Sequence, residues 1–332
     1  MNSSRRVFLK TAVLTSAAFT ASPLFTCGPT ERPNILWLIS EDTSPDLGCY
    51  GTPEVQTPHL DRLASEGILF ENAFATCPVC SPSRSAFMTG MYQNYIGAHQ
   101  HRTFEKQPLP EPVRVITHYF REAGYFVSNG AGLNPEAPGK TDWNFLPGEE
   151  AFDGTDWSQR DEGQPFFHQI NFRLTHRVFE RDPDHPIDPD RVNVPPYYPQ
   201  HPLTRRDWAD YLESLQVLDG RVGQVLQRLK DEGLDQNTIV IYFGDHGRPH
   251  VRGKQWLYEG GIRVPLIVRF PNGKNAGTVR DTLVSLIDLA PTSLKLAGID
   301  PPQHWQGRDF LGFWSRKRKE IFAARDRCDG TV

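Results

Sequence analysis

The chain is poor in cysteine and nearly balanced in charge. Its 332 residues include 5 cysteines, an odd number that does not make a disulfide framework. Lysine and arginine total 36 against 40 aspartates and glutamates, so the net charge is only −4. This balance gives no argument for a nucleic-acid partner or a charged membrane surface. The hydrophobic content of 38% and the aromatic content of 11% support a globular core.

The sequence has no second C-x-x-C pair to accompany Cys77 and Cys80. A single pair could be a redox dithiol or half of a zinc site. The other cysteines are scattered, and the proline-rich flanks of this pair do not resemble the turn that opens a helix in thioredoxin-type proteins. The pair therefore has to be interpreted within the longer stretch that contains it.

The chain also has little that could span a membrane. Residues 11–25 are apolar but too short for a confident span. Residues 4–10, SRRVFLK, fit the twin-arginine export consensus, so we predict that residues 1–30 are a signal segment read by the twin-arginine export machinery. The predicted location is periplasmic or extracellular. Residues 24–27 weakly resemble a lipoprotein cleavage box, which leaves lipid anchoring through Cys27 as an alternative.

Residues 77–90, CPVCSPSRSAFMTG, place a nucleophile candidate at a predicted helix start. Proline suits the first turn of a helix, so Pro82 and the helix-compatible residues 83–88 put Cys80 at or just before the N-terminus. Exposed N–H groups and the helix dipole favour an anion there. Arg84 lies four residues further on and can return to the same place. The local pattern predicts a positive pocket that contains a reactive side chain.

This stretch resembles a known signature. Residues 80–84 (CSPSR) and 88–90 (MTG) are similar to the type I sulfatase pattern C-x-P-S-R-x-x-x-[LM]-T-G. The resemblance implies that a formylglycine-generating enzyme oxidises Cys80 to formylglycine, an aldehyde that is hydrated to a diol. In that family one diol oxygen attacks sulfur, and the other then expels sulfate and regenerates the aldehyde.

Two pairs of candidate ligands, one of two carboxylates and one of a carboxylate and a histidine, follow predicted central strands. The apolar runs 34–39 and 237–243 predict buried strands, which end at Glu41-Asp42 and at Asp245-His246. Open α/β sheets bind ligands at such strand ends, and carboxylates suit a hard cation, although a solvated acidic loop is the plainer alternative. The resemblance implies that these four residues and Cys80 hold one divalent cation, Ca²⁺. Glu41 replaces the usual aspartate, and His246 is either a ligand or a contact to the sulfate.

The resemblance also implies a set of sulfate-binding residues: Arg84, Lys140, His176 and Lys254. Lys140 begins K-T-D where the family usually has K-W-H, so His99 or Asp142 is a candidate for the missing histidine contact. His176 follows the predicted strand 164–172. A histidine suits the role of general acid because the ordinary imidazole pKa lies near neutrality, and a structural histidine is the alternative.

The predicted fold is α/β and alkaline phosphatase-like, with a central, mostly parallel sheet and helices on both faces. Residues 31–320 are the predicted catalytic domain, and residues 321–332 the start of a C-terminal subdomain that is missing or truncated. Residues 177–202 read as a long surface loop, after which Thr204 is the predicted cap of a long amphipathic helix.

The resulting functional prediction is a hydrolase of sulfate esters or sulfamates that acts on sulfated glycans. The sequences SEDT (40–43) and KTD (140–142) resemble the heparan N-sulfatase-like branch. Two alternatives remain open: a phosphonate or phosphate diester hydrolase of the same superfamily, and a non-catalytic protein that only binds anions.

Overall fold

The computed structural model describes residues 32–312 and 317–327. The predicted signal segment, Cys27 and residues 328–332 lie outside these ranges. The strands are β1 Asn34–Ser40, β2 Ile68–Phe74, β3 Gln107–Pro108, β4 Phe126–Gly130, β5 Phe145–Leu146, β6 Phe166–Phe172, β7 Thr238–Gly244, β8 Arg263–Arg269 and β9 Thr278–Ser285. The helices are α1 Pro58–Ser65, α2 Cys80–Thr89, α3 Ile116–Glu122, α4 Pro202–Asp231, α5 Glu259–Ile262 and α6 Leu289–Leu296.

Seven of these strands form one sheet in the order β4-β6-β1-β7-β8-β2-β9. The pairs β4·β6, β6·β1, β1·β7 and β2·β9 are parallel, whereas β8 is antiparallel to both of its neighbours. Six strands therefore point the same way and β8 is reversed, which confirms the prediction of a mostly parallel sheet. Strands β3 and β5 form a separate pair.

The sheet is covered on both faces, and β1 shows why its sequence is apolar throughout. Ile35, Trp37 and Ile39 join a core that includes residues of α2, α3 and α6. Leu36 and Leu38 join a second core with residues of α1 and α4. A central parallel strand buried on both faces needs a continuous apolar run, not an alternating one. The prediction of helices on both faces is confirmed.

The long helix α4 begins two residues before the predicted cap. His201 is the N-cap, and its imidazole accepts a hydrogen bond from the Leu203 N–H at 3.2 Å. Pro202 takes the first helical position, where its lack of an N–H has no cost. The prediction that Thr204 caps this helix is therefore wrong, because the His-Pro pair starts the helix earlier.

Residues 317–327 contain no helix or strand and lie along the domain. The Ala324 N–H donates to the Thr76 carbonyl at 2.9 Å, and Arg325 Nη2 donates to Gln255 Oε1 at 2.8 Å. The domain boundary predicted at residue 320 stays a prediction. Among the described residues, no helix has the length and apolarity needed to cross a membrane.

The buried His168 on β6 makes acid stability testable. Its side chain is 0% exposed, and burial lowers its pKa to about 3, below the ordinary imidazole value near 6.5. Between pH 6.5 and 3 the unfolded chain therefore binds the extra proton, so acidification lowers the free energy of unfolding, by up to ~1.4 kcal/mol per pH unit from this residue. We expect His168→Gln to reduce the slope of the free energy of unfolding against pH, measured by urea denaturation, while the lowered pKa values of His101 and His250 keep part of that slope.

The exposed His304 provides the control for this measurement. His304→Gln should keep the wild-type slope of stability against pH. Equal slopes in the wild type and in His168→Gln would contradict the assignment of the acid sensitivity to His168.

Candidate active site

Strand register brings the predicted pairs Glu41-Asp42 and Asp245-His246 together. Ser40 at the end of β1 pairs with Gly244 of β7 and with Phe172 of β6. The next residues, Glu41 and Asp245, therefore leave adjacent parallel strands at the same edge. Backbone hydrogen bonds continue one step beyond the strands: Asp245 N–H donates to the Ser40 carbonyl and Glu41 N–H to the Phe172 carbonyl, both at 3.0 Å.

Cys80 is the first residue of α2, as predicted, and it points at these strand ends. Its Sγ lies 3.1 Å from His246 Nε2 and 3.9 Å from Asp42 Oδ1. Ligand atoms of Cys80, Asp42 and His246 all lie within 4.8 Å of one another, and all three residues are buried. The Asp42 N–H donates to Asp245 Oδ1 at 3.0 Å. The structure thus brings the predicted nucleophile and both predicted ligand pairs to the same edge of the sheet.

The orientation of His246 suits a metal ligand. Its Nδ1–H donates to the Gly247 carbonyl at 2.9 Å, so Nε2 is the nitrogen that faces Asp42 Oδ1, 3.1 Å away, and in the neutral ring Nε2 would carry the lone pair that binds a metal. Metal-binding histidines are commonly fixed in this way, with the second ring nitrogen held by a backbone carbonyl.

Glu41 supplies a second observation that fits a cation. Both of its carboxylate oxygens are buried and accept no hydrogen bond, although Lys140 Nζ lies 3.1 Å from Oε2 and Arg84 Nη2 lies 3.7 Å from Oε1. The two side-chain cations offset the buried charge, and the oxygens keep lone pairs that a bound metal ion would use. The predicted ligands Glu41, Asp42, Asp245 and His246 supply mainly oxygen, which suits a hard divalent cation, and the ligand atoms shown to lie within 4.8 Å of one another are those of Asp42, Cys80 and His246.

Arg84 is buried between the acidic residues. Its side chain is 1% exposed, its Nε and Nη2 lie 3.0 Å from Asp245 Oδ2, and its Nη1 donates to Asn171 Oδ1 at 2.5 Å. Burial alone would lower the pKa of Arg84, but Asp245 and Glu41 raise it, so the guanidinium stays charged. The arginine four residues after Cys80 is thus at the predicted place.

The two predicted lysines approach the site from different loops. Lys254 Nζ donates to both carboxylate oxygens of Asp42, at 3.0 and 2.9 Å. Lys140 contacts Glu41 and also lies 3.5 Å from Asp142 Oδ2. Burial alone would lower the pKa of Lys254, but Cys80 and Asp42 raise it, so this lysine is charged.

The buried carboxylates and the buried imidazole of the site shift each other's pKa values. Burial alone would raise the pKa of Asp42, but His246 and Lys254 hold it below the ordinary carboxyl range. Burial alone would lower the pKa of His246, but Asp245, Cys80 and Asp42 raise it well above the usual imidazole value. A histidine must be neutral to bind a metal, so a cation entering here would displace that proton.

His176 is less closely engaged than predicted. Its Nδ1 lies 2.7 Å from the Arg177 carbonyl, and its positive form helps to lower the pKa of Asp42. The ring is half-buried at the rim of the site. The proposed general-acid role therefore stays a prediction.

The chain is also similar in sequence to proteins of a known family. A family model described as Sulfatase matches residues 33–299. The chain belongs to the sulfatase family. This confirms the resemblance drawn from residues 80–90, and with it the alkaline phosphatase-like fold.

The sulfatase chain is 36% identical to an ulvan-active sulfatase of Formosa agariphila, over 90% of this chain and 58% of that protein. It is 29% identical to human N-sulphoglucosamine sulphohydrolase, over 82% of this chain and 62% of that protein. The chain thus spans about three fifths of the length of these curated relatives. Its structure matches a phosphonate monoester hydrolase of Silicibacter pomeroyi with a TM-score of 0.67 and 19% identity, over 84% of this chain and 76% of that one, which shows the fold alone.

Sequence reasoning missed a buried amide network in this sulfatase. Asn171 of β6 accepts from Arg84 and donates to Asn129 Oδ1 of β4 at 2.9 Å. Asn129 in turn donates to the Gly139 carbonyl at 2.7 Å, next to Lys140. A Cβ on Gly139 would lie 2.2 Å from Asn129 Oδ1, so only glycine fits there. The network holds the Arg84 guanidinium and the backbone just before Lys140, and because amides carry no charge it neutralises neither cation.

A second missed contact involves Asp142, at the position where the family usually has histidine. Asp142 has a φ of 50°, a conformation that is uncommon outside glycine, and it accepts from Arg102 Nε at 3.3 Å. Asp142 therefore links Arg102 to Lys140 at the edge of the site. The sequence signal was the K-T-D departure itself, which marked the position without giving the partner.

Asn171→Asp tests whether the neutrality of the amide matters. A carboxylate at residue 171 would pair with Arg84 and reduce the positive charge available to an anion. We expect the Kd for inorganic sulfate, measured by calorimetry, to rise about tenfold, the effect of ~1.4 kcal/mol. Asn275→Asp adds the same charge in the exposed loop between β8 and β9 and should leave the Kd unchanged. An unchanged Kd in Asn171→Asp would contradict the role of the network.

Proposed function

We propose that this chain is a hydrolase of sulfate esters or sulfamates, acting on sulfated glycans through a formylglycine made from Cys80 and one bound Ca²⁺. The observation that carries the proposal is the position of Cys80 Sγ. It lies at the start of a helix, 3.1 Å from His246 Nε2 and beside Asp42, whose carboxylate is also paired with Lys254. An anionic group brought to Cys80 would meet positive charge on several sides.

The chain's own residues divide into two groups. Glu41, Asp42, Asp245 and His246 would hold the cation, which when bound would favour an ionised nucleophile and polarise the sulfate. Formylglycine supplies a second oxygen on one carbon, which no unmodified side chain offers.

The basic residues would hold the sulfate and stabilise the charge that develops on its oxygens. Arg84 is fixed by Asp245 and Asn171, so it is preorganised. Lys140 and Lys254 lie on the two sides of the acidic cluster, at Glu41 and Asp42 respectively. His176, at the rim, is the candidate to protonate the leaving oxygen.

The glycan preference is supported by the relatives. One is named for activity on ulvan and one for sulphohydrolysis of N-sulphoglucosamine. We further propose that a formylglycine-generating enzyme matures Cys80. Residues 4–10 would direct export by the twin-arginine machinery to the periplasm or the exterior, and lipid attachment through Cys27 is the alternative to a free exported protein.

The test is a pair of assays on protein purified from the native host in the presence of Ca²⁺. One assay uses an aryl sulfate and the other an aryl phosphodiester, and mass spectrometry reads the peptide that contains Cys80. We expect formylglycine at residue 80 and faster turnover of the sulfate. Faster turnover of the phosphodiester would favour the phosphonate or phosphate hydrolase, and an intact thiol without either activity would favour an anion-binding protein.

A further inference from the structure

We propose that the cleft beside Lys254 binds a sugar ring of an acidic glycan, adjacent to the ring whose sulfate reaches Cys80. This inference rests on the proposed function and adds a second subsite to it. The aromatic cleft, as we call it, is a cavity of about 700 Å³ whose lining includes Lys254, Gln255, Trp256, Tyr258 and Arg325. That volume lies within the range of small-molecule sites.

The aromatic cleft is continuous with the active site. Lys254 lines the cleft, while its Nζ contacts Asp42 at 2.9 Å. The next residue, Gln255, donates its N–H to the Pro78 carbonyl at 2.8 Å, just before Cys80. The loop that forms the cleft is thus attached to the loop that leads into α2. A ligand that places an anion at Cys80 can extend past Lys254 into this cleft.

The wall of the cleft is an exposed aromatic surface. Trp256 and Tyr258 are 52% and 48% exposed, and their rings lie 6.4 Å apart at an interplanar angle of 26°. The negative faces of aromatic rings attract polarised C–H groups, and one face of a pyranose ring consists of such groups. Apolar side chains that stay exposed together beside a functional cavity mark a binding surface.

The charges around the cleft select an anionic glycan. Arg252 stacks on Tyr258, with its guanidinium carbon 4.3 Å from the ring centroid. Arg325 donates to Gln255, and among the described residues its buried Nε has no hydrogen-bond partner. With Lys254 this places three cations around the aromatic surface. A further sulfate or a uronate carboxylate on the adjoining sugar would complement them.

The experiment compares the wild type with Trp256→Ala in calorimetric titrations. The probes are sulfated hexasaccharides from ulvan and from heparin, with inorganic sulfate as the small anion. We expect the ratio of hexasaccharide Kd to sulfate Kd to rise about tenfold or more in Trp256→Ala for at least one of the two glycans. Val279→Ala is the control, because Val279 is 61% exposed on β9 at the far edge of the sheet.

Several outcomes would overturn the proposal that the aromatic cleft binds a sugar ring. The ratio could stay unchanged, or the wild type could bind neither hexasaccharide. A dimer in size-exclusion chromatography that dissociates in Trp256→Ala would show that a second copy covers the surface.

Turnover of an aryl sulfate by the wild type separates this inference from the proposed function. If the wild type hydrolyses the aryl sulfate but Trp256→Ala leaves the ratio of hexasaccharide Kd to sulfate Kd unchanged, the sugar subsite is rejected and the proposed function is kept. A raised ratio without turnover of any sulfate would reject the proposed function and keep the subsite.

Discussion

Replacement of Cys80 with alanine is expected to reduce aryl sulfate turnover by a factor on the order of a thousand or more, because the nucleophile is lost. The domain should still fold, since the substitution removes one small buried atom. Stopped assays on the purified variant measure the rate, and urea denaturation measures the stability.

Cys77 provides a matched control for this prediction. It lies three residues away and is as fully buried as Cys80, both being 0% exposed. Burial raises the pKa of the Cys77 thiol to about 12, so it is an inert packed group. We expect Cys77→Ala to keep turnover within a few-fold of the wild type. Equal loss of activity in both variants would instead support the redox dithiol that the C-x-x-C spacing also allowed.

Arg84→Ala is expected to have the largest effect on stability. The arginine is the buried partner of Asp245 and lies near Glu41, so its removal leaves Asp245 without its paired arginine and leaves Glu41 with one cation fewer. Breaking a buried pair from one side typically costs about 3–5 kcal/mol. Urea denaturation in EDTA measures this loss, and Ca²⁺ should restore part of it because the cation supplies the missing positive charge.

Arg62→Ala is the control for Arg84→Ala. Arg62 pairs with Glu66 on the exposed surface of α1, and exposed pairs contribute little to stability. The free energy of unfolding should therefore stay close to that of the wild type. The interpretation of Arg84 would be wrong if both variants were equally stable in EDTA.

The parts of the fold that could be predicted were those with a strong local pattern. The apolar runs that became β1 and β7, and the proline that marked α2, needed no knowledge of neighbouring strands. The reversed direction of β8 had no such signal, because its sequence is as apolar as that of the parallel strands. The start of α4 was misplaced because a histidine cap is less common than a threonine cap.

The residues of the site likewise fall into those that a local sequence pattern predicted and those that it did not. Asp42, Asp245 and Cys80 could be placed because strand ends and a helix start are visible in the sequence. Asn129 and Asn171 could not, because an amide within a strand pattern gives no sign of its partner. Their importance depends on the pairing of β4 with β6, which brings together residues that are 42 positions apart.

The complete burial of Cys80 has a consequence for the timing of maturation. The peptide around it lies within the domain, because every residue of α2 is buried and the preceding loop is tied by the Gln255 N–H to the Pro78 carbonyl. A modifying enzyme has to surround the peptide that it oxidises, and this peptide is inside the finished domain. The conversion proposed for Cys80 must therefore happen on a nascent or still open chain, before the strands that form the pocket have closed around it.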